Sequence, residues 1–207
     1  MLVTLTRYSV DAGNEERFSE EQQLFSRLRG TPGFVFRGGG WSSEERATLL
    51  AFWKDEASHA SAEKSAQKSL ARLRKGRVHK RVVTLPWTVT EELHGSAPLV
   101  TLALARARTL RADLFQVRAA AVVDFLGQRS AVWSPGLKAS AGMLGAVFCK
   151  GEGGWSMTLT AWRDAVSHRV FAESRVRDLI DRSRARHHCE EGRHYDIPLV
   201  SEWRVRG

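Results

Sequence analysis

His59 and His168 each stand six residues after a tryptophan in two look-alike stretches. These are Phe52-Trp53-Lys54-Asp55-Glu56-Ala57-Ser58-His59 and Ala161-Trp162-Arg163-Asp164-Ala165-Val166-Ser167-His168. An imidazole titrates near neutrality and can act as acid, base or ligand, so both histidines are candidate catalytic residues. The recurrence also fits a shared local hydrogen bond, with Ser58 and Ser167 capping a helix. On the strand entering each motif, the two-residue period puts Leu49, Ala51 and Trp53 on one face, and Thr158, Thr160 and Trp162 on the counterpart. Small or hydroxyl-bearing residues beside an indole would offer an aromatic ligand a flat wall and one N–H donor. The plainer reading makes Trp53 and Trp162 core residues.

Tyr8, Trp41 and Trp133 complete the candidate substrate-binding set with Trp53, Thr158, Thr160 and Trp162. Trp41, Trp133, Trp87 and Trp203 fall at strand or loop boundaries, where a tryptophan also staples a loop to the core. Tyr8 aligns with Ala105, so a pocket would differ between the halves. His187-His188-Cys189-Glu190-Glu191 with His194 has ligand types suited to zinc or iron, but the spacing matches no strong motif. That run is expected to be a polar loop, with no metal site. Gly38-Gly39-Gly40 and residues 151–154 precede or surround turns into strands and carry no P-loop lysine, so they predict no phosphate cradle. No Gly-x-Ser-x-Gly nucleophile motif is present. No cofactor is expected.

The 207 residues, 43% of them hydrophobic, suffice for one or two packed domains. No apolar run spans a membrane, no signal peptide opens the chain, and two cysteines make no disulfide framework. A cytoplasmic protein is expected. The net charge of +9 is spread over both halves, with a dense patch at Arg72, Arg74, Lys75, Arg77, Lys80 and Arg81. No aromatic residues interleave there to stack bases, and cations suit a helix C-terminus. No nucleic-acid partner is expected.

These candidates need elements to hold them, and an internal repeat supplies the plan. Leu2-Val3-Thr4-Leu5 recurs as Leu99-Val100-Thr101-Leu102, the Trp–His stretch recurs as above, and Val83-Thr84-Leu85-Pro86-Trp87 aligns with Leu199-Val200-Ser201-Glu202-Trp203. In the first copy the pattern predicts strands over 3–10, 34–37, 48–53 and 82–85. It predicts a helix over about 15–29 capped by Asn14, and another carrying Ala62, Ala66, Leu70 and Leu73. The second copy predicts strands over 99–106, 143–148, 155–162 and 199–204, and helices over 113–126 and about 166–184. Residues 88–97 would be a linker. This order predicts an α+β protein of two ferredoxin-like β-α-β-β-α-β repeats, residues 1–90 and 98–207. Each repeat leaves one sheet face bare, and burying those faces together would make a fused pseudo-dimeric α+β barrel.

The Trp-x-Asp-x-x-Ser-His stretch at the end of the third strand resembles the dimeric α+β barrel superfamily, whose best-known branch is the antibiotic-biosynthesis monooxygenases. Gly33-Phe34-Val35-Phe36-Arg37-Gly38-Gly39-Gly40-Trp41, Val132-Trp133-Ser134-Pro135-Gly136 and Ala141-Gly142-Met143-Leu144-Gly145 look closer still to a tandem-duplicated bacterial subfamily of unknown function. The resemblance implies a pocket for a small apolar or aromatic molecule. It implies a monooxygenase-like enzyme working without a cofactor, acting as a monomer or a weak homodimer. A non-catalytic ligand-binding or stress-related protein on the same fold is the alternative. A haem-binding or haem-degrading protein is a lesser one, since the helix after His59 or His168 offers no histidine at the stretch where that branch carries its axial ligand.

Overall fold

The computed structural model describes residues 1–70, 79–97 and 100–207, with side chains of residues 63 and 65–70 left aside. The chain forms two compact units, one of Met1–Thr88 with Ile197–Gly207, the other Val89–Asp196. Beside the expected 1–90 and 98–207, Ile197–Gly207 groups with the first unit, and residues 89–97, most of the expected linker, group with the second. Arg72, Arg74, Lys75 and Arg77 of the basic patch lie outside the described residues, as does Leu73.

In the first unit, β1 (Leu2–Val10), α1 (Glu15–Gln23), β2 (Phe34–Ser43), β3 (Arg46–Trp53), α2 (Glu56–Leu70) and β4 (His79–His94) follow in the expected order. The strands lie side by side as β4-β1-β3-β2, with the short C-terminal β9 (Val205–Arg206) added beside β2. The helix over 15–29 breaks after Gln23 into a tighter 3-10 turn, Leu24–Leu28. Asn14 stands at its N-cap without a side-chain bond to it. Register places Leu2, Thr4, Thr6 and Tyr8 of β1 opposite Trp53, Ala51, Leu49 and Ala47 of β3. This face carries the helices. Phe18 of α1 packs with Val10, Ala47, Leu49 and Trp203, and Ala62 of α2 with Leu2, Phe34 and Trp53. Fully burying one such side chain contributes about 1.5–3 kcal/mol.

The second unit repeats the plan with different punctuation. Residues 100–106 form a helix, α3 (Val100–Arg106), where a strand was expected. Ala and Leu are strong helix formers, and Leu102, Ala103, Leu104 and Ala105 outweigh the short alternation that imitated β1. The true counterpart of β1 is β5 (Thr109–Val117), where a helix over 113–126 was expected. Its helical partners are α4 (Val122–Gln128), a π-turn over Arg129–Trp133 and α5 (Ser134–Lys138). Then come β6 (Met143–Lys150), β7 (Trp155–Trp162), α6 (Ala165–Ser174), α7 (Val176–Arg182), α8 (Ala185–His188) and β8 (Cys189–Pro198). The strand order is β8-β5-β7-β6, with the end of β4 beside β6. Residues 201–203, expected in the last strand, form a 3-10 turn. The His187-to-His194 run, expected as a loop, spans the end of α8 and the start of β8. No described helix is long and apolar enough to cross a membrane.

The matched motif folds the same way in both units. Asp55 Oδ1 accepts from the Ser58 backbone N–H at 2.8 Å, and Asp164 Oδ1 from that of Ser167 at 2.7 Å. The aspartate is therefore the cap, not the serine. The Ser167 backbone N–H bond holds Asp164 down at about 2, and the Ser58 hydroxyl, with its backbone N–H, lowers Asp55 in the same direction. Gly33 and Gly142, both at positive φ, sit under the two serines, and a Cβ at either would collide with the Ser58 or Ser167 hydroxyl.

Candidate functional site

Register aligns the two helix-facing layers residue by residue. Ala51 is flanked by Thr4 of β1 and Arg37 of β2. Its counterpart Thr160 is flanked by Arg111 of β5 and Ala146 of β6. Each unit thus places one arginine beside this central position, from opposite sides. The surroundings of the two cations decide what each layer can do.

In the second unit the arginine is neutralised. Arg111 Nε donates to both Asp113 carboxylate oxygens at 3.0 and 2.9 Å, and Nη2 donates to Oδ1 at 2.8 Å. Arg111 Nη1 lies 3.3 Å from Asp196 Oδ1, and His168 Nε2 lies 3.2 Å from the same oxygen. Burial works to lower the Arg111 pKa, but the Asp113 charge and hydrogen bonds outweigh it and raise the pKa. Partial burial pushes Asp196 up, yet His168 and Arg111 hold it below its ordinary value. The indole donors beside this cluster are matched. Trp162 Nε1 donates to Thr160 Oγ1 at 2.8 Å, Thr160 Oγ1 donates to the Arg111 carbonyl at 3.4 Å, and Trp133 Nε1 donates to Ser183 Oγ at 3.0 Å. Trp133, Trp162, Phe171 and Leu179 form one apolar cluster. Of the expected site residues, His168, Thr158, Thr160, Trp133 and Trp162 are therefore all buried here. Thr160, Trp133 and Trp162 have hydrogen-bond partners in the bonds just described, whereas His168 Nε2 lies within ion-pair distance of Asp196 without a hydrogen bond to it.

The first unit is different. Arg37 is 5% exposed. Its Nη2 donates to Gln22 Oε1 of α1 at 2.6 Å, and its guanidinium carbon lies 3.9 Å over the Phe25 ring. Among the described residues no carboxylate pairs with it, and Arg37 Nη1 is buried without a hydrogen-bond partner. Burial pulls the guanidinium down to about 10, opposed by the nearby Tyr8 phenol, so it remains charged at neutral pH. Trp53, 4% exposed, also has its Nε1 buried without a described partner. The reason is local: Ala51 occupies the place where Thr160 supplies an acceptor in the other unit.

Aromatic rings cluster at both ends of this sheet face. His59, half-buried, meets Trp53 edge-on at 5.5 Å between centroids, as His168 meets Trp162 at 5.9 Å. Tyr8 packs against Phe18 at 5.4 Å and His79 at 5.1 Å, and Phe18, Trp41 and Trp203 contact one another at 5.5 Å. Trp41 borders an open groove of about 520 Å³ lined by Glu15, Glu16, Ser19, Glu20, Gln23 and Glu202. The counterpart of Tyr8 is Phe115, not Ala105, because β5 rather than 99–106 is the matching strand: Tyr8 faces Ala47 and Phe115 faces Ser156. The fold thus gathers Tyr8, Trp41, Trp53 and His59 in one unit, and Trp133, Thr158, Thr160, Trp162 and His168 in the other. Sequence reasoning missed Arg37, Arg111, Asp113 and Asp196. An arginine inside the glycine-rich β2 was the one visible signal.

In the His–Cys run, burial pushes the Cys189 thiol up to about 11. Among the described residues no three His, Cys, Asp or Glu side chains stand together as a metal site.

Residues 2–77 match a family described as a domain of unknown function, DUF4937. No curated protein matches the sequence. Solved structures match over nearly the whole chain. A putative monooxygenase from Fusobacterium nucleatum has 8% identity and a TM-score of 0.75, covering 99% of this chain and 94% of that one. An anthrone oxidase-like protein has 15% identity and a TM-score of 0.66, with 99% and 92% coverage. A ferredoxin-fold protein from Listeria monocytogenes, related to antibiotic biosynthesis monooxygenases, has 9% identity and a TM-score of 0.50, with 95% of each chain covered. The chain therefore has the α+β, ferredoxin-like fold of the antibiotic-biosynthesis-monooxygenase-like proteins.

Proposed function

We propose that this protein is a small monooxygenase-like enzyme that oxygenates an apolar aromatic substrate without a bound cofactor, in the helix-facing layer of its first unit. The observation that carries this reading is the buried Trp53 Nε1, without an acceptor among the described residues, beside a half-buried His59. The equivalent Trp162 is already engaged by Thr160, and His168 stands 3.2 Å from the Asp196 carboxylate. We read the chain as a tandem duplication in which the second copy has closed its site, working as a cytoplasmic monomer. The shared Gly–Asp–Ser helix start supports the duplication.

The chemistry follows from what these groups supply. His59 takes a proton from an activated C–H of the substrate, such as a methylene between aromatic rings flanked by a carbonyl. The charge moves onto the substrate oxygen, where the Trp53 N–H stabilises it. The carbanion donates its electrons to molecular oxygen, and a carbon-bound hydroperoxide forms at that carbon. Loss of water leaves a carbonyl, so one oxygen atom is incorporated and the other departs as water. Leu2, Phe34 and Ala62, which pack with Trp53, provide the apolar walls.

Oxygen uptake with an anthrone is the test. Uptake is expected to require the protein, to fall about 100-fold or more in His59→Ala, and to persist in His168→Ala. Saturable quenching of tryptophan fluorescence without any oxygen uptake would sink the enzyme and leave a ligand-binding protein. Loss of uptake in His168→Ala alone would move the site to the second unit.

A further inference from the structure

We propose that Arg37 makes the first unit a binding site for an aromatic oxyanion, a carboxylate or phenolate seated against Arg37 Nη1. This deepens the reading above by naming the charge of the ligand, and it rests on that reading only for the choice of an aromatic partner. Arg37 is a buried cation whose described contacts are a neutral amide and an aromatic face, namely Gln22 and Phe25. A buried charge is ordinarily paired, and each buried donor left unmatched calls for an explanation. Gln22 is itself buried and uses its carbonyl oxygen on Nη2. It therefore orients the guanidinium and leaves Nη1 for another acceptor.

The opposite unit sharpens the assignment. There the arginine beside the same central position has its anion built in as Asp113, on the same strand two residues on. The residue matching Asp113 in the first unit is Thr6, which carries no charge. Among its described residues the first unit therefore keeps the cation without a counter-ion, and an incoming anion would complete the pair. Phe25 stacks on one guanidinium face, leaving the planar edge to meet a carboxylate. A planar aromatic acid satisfies both halves of this surface, its ring against the aromatic residues and its oxygens on the fork.

The test compares 2-naphthoate with its uncharged amide, 2-naphthamide, by tryptophan quenching and by the shift in melting temperature each produces. The wild-type protein is expected to bind naphthoate at least tenfold more tightly, about 1.4 kcal/mol. In Arg37→Met this preference should vanish through loss of naphthoate affinity, with naphthamide binding unchanged. Arg37→Gln, which keeps a polar group for Gln22 without the charge, should behave alike and serves if Arg37→Met misfolds. Equal binding of the two probes by wild type, no binding of either, or an undiminished preference in both variants would overturn the proposal. Oxygen uptake is scored separately. Anion preference without turnover sinks the oxygenase and keeps this site, and turnover without anion preference does the reverse.

Discussion

The two units share strand order, helix start and a Trp–His edge contact, yet they treat a buried arginine in opposite ways. In the second unit Arg111 sits in a balanced network of Asp113, Asp196 and His168. In the first, Arg37 is buried with a neutral amide and a ring. A satisfied network holds a core together, whereas an unpaired buried donor costs stability. The difference teaches that a repeated motif does not mark a repeated site. The Trp-x-Asp-x-x-Ser-His stretch starts a helix in both units, and the chemistry depends on what faces it.

The sharpest way to break the comparison is to exchange each arginine for methionine. Arg111→Met leaves Asp113 buried without its cation and is expected to cost about 3–5 kcal/mol in urea unfolding. Arg37→Met removes an uncompensated charge, so its unfolding free energy should change by less than about 1 kcal/mol or increase. A large loss in Arg37→Met would mean that the first unit hides a counter-ion and that the two units are alike.

The tryptophan donors give a second pair. Thr160→Ala should cost about 1–3 kcal/mol by stranding the Trp162 N–H. Ala51→Thr copies the missing acceptor into the first unit. It is expected to stabilise by about 0.5–1.5 kcal/mol and to reduce oxygen uptake while sparing naphthoate binding. Gly33→Ala and Gly142→Ala probe what the units have in common. Both are at positive φ beneath a serine, and each should cost at least roughly 1–2 kcal/mol. A cost in only one would show that the shared helix start is unequal.

The smallest effect is in acid. A carboxylate whose folded pKa is depressed stabilises the protein above its unfolded pKa, and that contribution is lost as pH falls through the folded value. For Asp164 the window runs from its ordinary 3.8 down to about 2. Asp164→Asn should therefore melt slightly below wild type at pH 5, and the two should converge by about pH 2. Asp55→Asn should follow the same trend, since its pKa is lowered too.

Much of the scaffold was legible. Residues 46–53 and 155–162 alternate or end in tryptophan before an aspartate cap, and short-range signals of this kind survive folding. The first strand of the second unit was not, because Leu99-Val100-Thr101-Leu102 imitates Leu2-Val3-Thr4-Leu5 while the residues after it favour a helix. That misreading shifted the register and paired Tyr8 with Ala105, hiding Phe115. It also concealed that Arg111 and Asp113 lie on the helix-facing side, where a charged pair runs against the usual apolar pattern.

From the sequence alone, one could determine the α+β class, the repeated helix start and the candidate aromatic residues, because each is written in neighbours a few positions apart. Tertiary structure decided which of those residues are occupied. Trp133 meets Ser183, and Arg111 meets Asp196, across long stretches of chain. Whether a buried donor or charge is satisfied depends on such distant partners, and no local pattern encodes them. That is why His59 and His168 look equivalent in the chain, and why Arg37, one residue in a glycine-rich strand, becomes conspicuous only once its surroundings are in place.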